Sequence, residues 1–139
     1  FVAEARVWRR RYGGTLSQLH PYIASAAMRI DAQLAKMPAY RARALALAKA
    51  LAAIPGLRIL PSPPQVNMFH VHIDAPAPAL ATARDRLAAE DGVWLAGGFA
   101  EAATPGWSVT EIYVGDNLLA LADADVAAWF ARLVGLART

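Results

Sequence analysis

Cysteine is absent from the 139-residue chain, which excludes disulfides and thiol chemistry. Lysine is almost absent as well, with only Lys36 and Lys49. A lysine nucleophile needs desolvation or a cationic neighbour to lower its pKa. Both lysines fall on ordinary helix surfaces by pattern, with no Ser, His or Gly context. No apolar run reaches the roughly 18 residues of a membrane-span candidate, because Arg, Lys, Asp or Glu interrupts every alanine-rich stretch. A leader sequence is not evident either: "FVAEARVWRRRYGG" places its charges after its apolar residues, the reverse of a signal peptide. There is no initiator Met, so we expect a chain that starts mid-protein or after processing. A cytoplasmic location fits the lack of cysteine.

What remains is apolar and arginine-rich. Hydrophobic residues make up 57% and charged residues 18%, with a mean hydropathy of +0.29. Disorder requires the opposite balance. The length is that of one domain, and the excess of alanine marks a surface that another domain or subunit covers. The net charge of +3 is small and spread along the chain, whereas a nucleic-acid binder concentrates its charge on one face.

Periodicity divides the chain into a basic Gly-Gly lead-in (1–20), two helices (21–54) and an α/β core (57–139). In the first helix Ile23, Ala26, Ala27, Ile30, Leu34 and Met37 recur near a period of 3.6. Pro38 ends it or opens the next. In the second, Tyr40, Ala44, Leu47, Leu51 and Ile54 form one stripe, until Pro55 and Gly56 stop it. A short intervening turn makes the two an antiparallel pair. Leu57–Leu60 reads as a short strand and "PSPPQ" as a rigid connector. Val66 to Asp74 reads as the best strand, with Met68, His70 and His72 on one face and Phe69, Val71 and Ile73 toward the helices. A third helix is expected from Leu80 to Glu90, short strands at Val93–Leu95 and Trp107–Gly115, and a last helix from Asp123, a plausible cap. The fold class is α+β, a small and mostly antiparallel sheet packed against helices.

Few motifs carry chemistry. "RRRYGG" combines phosphate-binding arginines with glycines that expose backbone N–H groups. It lacks P-loop spacing and the Rossmann strand context, and a solvated helix end before a turn explains it as well. His70 and His72 could present two metal ligands on one strand face. Asp74 is the only third candidate at the same period, and Glu111 or Asp116 could contribute only if the fold brings them close. A partly exposed sheet face is the favoured reading, and no metal is expected. Ser17, Ser25, Ser62 and Ser108 lie in no nucleophile-elbow context. The chain therefore shows no catalytic residue of its own.

"EARVWRRRYGGTLSQLHPYIASAAMRIDAQLAKMP" nevertheless resembles low-specificity threonine aldolases and related β-eliminating lyases. These are pyridoxal-phosphate enzymes of the aspartate-aminotransferase-like fold. Arg9, Arg10, Arg11, Gly13 and Gly14 match the family's Arg-rich and Gly-Gly stretch, which lies soon after the cofactor lysine. The "IPGLRILPSPPQVNMFHVHI" segment resembles its small-domain strands, with Asn67 in the matching place. The resemblance implies the C-terminal small domain of a fold-type-I enzyme acting on a small amino acid. It implies a cofactor lysine in an upstream large domain, a homodimer or homotetramer, and an isolated chain that is inactive and holds no cofactor. Arg9–Gly14 would lie near the interdomain and intersubunit region; Asn67 and Glu111 would lie on the substrate side. One departure stands out. Glu111 occupies the closest match to a late-strand arginine that holds the amino-acid carboxylate, and like charges repel. A non-catalytic oligomerisation or interaction domain is the alternative reading.

Overall fold

The structure is a computed structural model that describes residues 1–15 and 18–139. Ser17, one of the serines weighed above, lies outside the described residues. The chain divides into two compact units, Phe1–Lys36 and Met37–Thr139.

The first unit contains α1 (Val2–Arg11) and the start of α2 (His20–Ala52). None of its described residues is buried. Tyr12 closes α1, and Gly13 follows at φ +71°, a left-handed conformation that glycine adopts without steric cost. This is the helix end and turn read from "RRRYGG".

The expected pair of helices is instead one 33-residue helix with Pro38 inside it. Proline removes one N–H bond and crowds the preceding turn, at a cost of about 3 kcal/mol. Alanine and leucine on both sides favour helix. Beyond Pro38, Tyr40, Ala44, Leu47 and Leu51 are all buried, and their burial offsets that cost. Pro38 falls two residues after the boundary between the units.

The second unit continues with β1 (Leu57–Leu60), β2 (Met68–Ile73), α3 (Ala77–Asp91), β3 (Ala100–Glu101), β4 (Ser108–Tyr113), α4 (Asp116–Leu119) and α5 (Asp123–Ala137). The strands form one antiparallel sheet in the order β1-β2-β4-β3. Phe69, Val71 and Ile73 point into the core with Leu57, Ile59 and Ile112. They meet Leu80 and Leu87 of α3 and Phe130 and Leu133 of α5. Phe69 and Phe130 are essentially fully buried, each contributing roughly 2–3 kcal/mol. The expected face of β2 is therefore the inner one.

Three expectations need correction. Val93–Leu95 is not a strand; the short β3 forms seven residues later, in what reads as a flexible loop. A brief α4 follows Gly115. Asp123 is not the cap of α5 but its first residue, after Ala122, and it makes no capping bond. Its carboxylate pairs with Arg43 of α2 instead.

Candidate functional site

Two places hold the residues that the sequence singles out. The first is the end of α1. Arg9, Arg10 and Arg11 occupy its last turn, where cations complement the negative end of the helix dipole. All three are exposed and have no ion-pair partner among the described residues. Arg11 lies over the Trp8 ring, 5.0 Å from its centroid, and Trp8 stacks on Tyr12 at 5.7 Å. Gly13 and Gly14 do not present an anion cradle. The Gly14 N–H donates to the Arg9 carbonyl (2.8 Å) and the Gly13 N–H to the Arg10 carbonyl (3.3 Å). A phosphate needs such N–H groups turned outward.

The second place is the outer face of the sheet. Alternation along the strands puts Arg58, His70, His72, Glu111 and Tyr113 on this side, and each except the half-buried His72 is exposed. His70 stands opposite Glu111 in the β2–β4 register, with Nε2 3.7 Å from Oε2. His72 stands between Arg58 of β1 and Val109 of β4. The Arg58 guanidinium crosses the face to lie 4.5 Å from the Trp107 ring centroid. A hollow of about 590 Å³ lies over His70, His72, Gly98 and Glu111. No group of three metal-ligating side chains is present among the described residues.

Asn67 is committed to the fold. Its Nδ2 donates to the Val114 carbonyl (2.9 Å), and the Val114 N–H donates to the Asn67 carbonyl (2.8 Å), which clips the end of β2 to β4. Ser108 is buried and donates to the Ala75 carbonyl (2.7 Å), so it is no nucleophile. Lys49 is exposed and Lys36 half-buried, so neither lysine is fully buried. Sequence reasoning missed the Arg58–Trp107 stack and the role of Arg43. The stack joins residues distant in sequence, and the pattern around Arg43 is that of any helix-surface arginine. Arg43 donates to the Leu118 carbonyl (2.9 Å) and the Leu121 carbonyl, and pairs with Asp123.

The outer face, with its His70–Glu111 pair and Arg58–Trp107 stack, can bind and orient polar groups. The one-sided antiparallel sheet backed by helices defines the class: a small α+β domain of the kind found in fold-type-I enzymes. No family model and no curated protein matches the chain. Two solved structures do. A protein from Exiguobacterium sp. assigned as an aromatic amino acid β-eliminating lyase/threonine aldolase is 36% identical, with a TM-score of 0.79 over 95% of this chain. A protein from Listeria monocytogenes assigned as an L-allo-threonine aldolase is 31% identical, with a TM-score of 0.81 over 97%. The chain is thus related to the threonine-aldolase-like lyases of the fold-type-I pyridoxal-phosphate group. It spans 37% of the length of each of these relatives.

Pyridoxal phosphate does not fit the residues of this chain taken alone. The Gly13 and Gly14 N–H groups are spent on helix carbonyls, and neither lysine lies in a buried pocket of the kind that activates a lysine nucleophile.

Proposed function

We propose that this chain is the C-terminal small domain of a pyridoxal-phosphate-dependent lyase, of the aldolase or β-eliminating type, acting on a small amino acid. The observation that carries this reading is the likeness to two such structures, at 36% and 31% identity, along nearly all of the chain. The cofactor and its lysine would belong to an upstream large domain. This chain would close one side of the cleft, presenting the outer sheet face with Glu111 toward the substrate. Arg9–Arg11, Gly13 and Gly14 would meet the large domain or a neighbouring subunit of a homodimer or homotetramer.

The test uses a protein in which this sequence follows a large domain. Purified from cells, it should carry the visible absorbance of bound pyridoxal phosphate and cleave threonine or eliminate from a β-substituted amino acid. A protein that takes up no cofactor when titrated overturns the reading. The rival, a non-catalytic interaction domain, is favoured by one feature: no described residue of Phe1–Lys36 is buried. It predicts self-association or partner binding without cofactor uptake.

A further inference from the structure

β4 is paired along its whole length on one side and barely on the other. On the inner side Ser108–Tyr113 all have partners in β2. On the outer side only Ser108 and Val109 do, facing Glu101 and Ala100. Two flanking bonds fix the direction of each backbone group. The Val114 N–H donates toward β2, to Asn67, and the Trp107 carbonyl accepts from Ala102 on the β3 side. Backbone groups alternate sides along a strand. Ser108, Thr110 and Ile112 therefore turn theirs toward β2, while Val109, Glu111 and Tyr113 turn theirs outward. Val109 meets Ala100. Glu111 and Tyr113 meet no backbone partner among the described residues.

Across from this open edge runs the segment 93–98, which pairs with no strand and whose Gly97 carbonyl accepts from Arg84 (3.2 Å). Trp94, Leu95 and Gly97 on one side and Glu111 and Tyr113 on the other border a hollow of about 370 Å³, with Phe130 among its lining. The first half of the segment, Val93–Leu95, is the stretch whose sequence reads as a strand, and Ala96–Gly98 open the glycine-bearing stretch that follows it. Carrying the β3 register forward from Ala100↔Val109 puts Gly98 opposite Glu111 and Ala96 opposite Tyr113. Leu95 and Gly97 then share the inner face with Ile112, so Leu95 keeps the core contact it already makes. The movement turns the small Ala96 side chain outward. Gly97 and Gly98 have open space where a Cβ would stand, and glycine rotates at little steric cost. The Thr110 hydroxyl already donates to the Gly98 carbonyl (2.8 Å), holding the segment beside the register it needs.

We propose that Val93–Gly98 is a strap that pairs with the outer edge of β4, Gly98 against Glu111 and Ala96 against Tyr113, and closes the hollow. Pairing turns the two-residue β3 into a full edge strand and satisfies the outward groups of Glu111 and Tyr113. It involves only this chain and does not depend on the cofactor reading.

Amide hydrogen exchange on the 139-residue chain tests it. The Glu111 and Tyr113 amides should exchange about ten-fold more slowly than in Ala96→Pro, which cannot donate to Tyr113. The Ile112 amide, bonded toward β2, should be unchanged and serves as the control. Because the chain has no cysteine, an Ala96→Cys/Tyr113→Cys double variant should close a disulfide under mild oxidation. The proposal is overturned if Glu111 and Tyr113 exchange as fast as open amides and the cysteine pair stays reduced.

Discussion

At the scale of single residues, the connections between elements rest on arginines that composition alone presents as surface charge. Arg43 caps the carbonyls of Leu118 and Leu121 and pairs with Asp123, tying α2 to the chain that leads into α5. Its side chain is 14% exposed, so truncation leaves acceptors and a carboxylate short of a donor in a poorly hydrated place. Arg43→Ala should cost about 2–3 kcal/mol, read as a lower urea midpoint, with Arg43→Lys between the two because an ammonium cannot span three acceptors. Gly56 is another such point. It sits at φ +89°, and a Cβ there would run into the Arg138 guanidinium, which bonds the Asp74 carboxylate at 3.1 Å. Gly56→Ala combines backbone strain with the loss of that contact and should destabilise by roughly 1–3 kcal/mol. An unchanged midpoint would show that Arg138 moves aside freely.

Glu90 makes the pH argument. Its hydrogen bond from Arg86 holds its carboxyl below the usual range, with a slight loss of hydration opposing the effect and the charges of Arg86 and Arg132 adding to it. A carboxylate depressed in the folded state stabilises above its unfolded pKa, and that contribution disappears as pH falls through the lower folded value. Acidification past the ordinary glutamate range should therefore narrow the stability gap between the wild type and Glu90→Gln. The pair is solvent-exposed, so the gap should also shrink in high salt. A gap that stays constant across this pH range would mean that the charge of Glu90 adds nothing and that Asp91 supplies the ionic partner through which Arg132 holds α3 to α5.

At the scale of elements, what was legible in the sequence followed burial. Phe69, Val71 and Ile73 alternate with Met68, His70 and His72, and a two-residue period leaves no choice of inner face once three large apolar residues share it. The stripe Leu80, Ala83, Leu87 located α3 for the same reason. Pro38 misled, because a local rule for ending helices competes with tertiary burial on its C-terminal side. The segment at Val93–Leu95 misled differently: its composition suits a strand, but pairing depends on a partner edge that sequence does not display. The resemblance led us to expect Asn67 on the substrate side, and the bond it makes to Val114, forty-seven residues away, is invisible without the register. Pro38 also yields a prediction. It is exposed and breaks one helix bond, so Pro38→Ala should stabilise α2 by about 1–3 kcal/mol and raise helical ellipticity. No gain would mean that the helix is distorted there for reasons other than the missing N–H.

At the scale of the whole molecule, the two units differ in kind. Met37–Thr139 encloses the entire buried cluster, from Tyr40 to Val134. No described residue of Phe1–Lys36 is buried, and it exposes Tyr22, Ile23, Met28, Ile30 and Leu34 along one helix. A helix without tertiary packing is marginal in water, so this stretch of α2 should open far more often than the stretch after Pro38. Its arginines offer a direct readout. Brief trypsin treatment should cut at Arg6, Arg9, Arg10, Arg11 and Arg29 while the 37–139 portion persists, since cleavage follows the population of locally open states. If the proposed large domain or another subunit covers this surface, the same sites should become resistant when the chain is joined to that domain. Ile30→Glu with Leu34→Glu should then weaken the joined assembly without lowering the urea midpoint of the 37–139 core. Equal trypsin sensitivity in both contexts would remove the surface as an interface and leave its exposed apolar residues without a structural purpose.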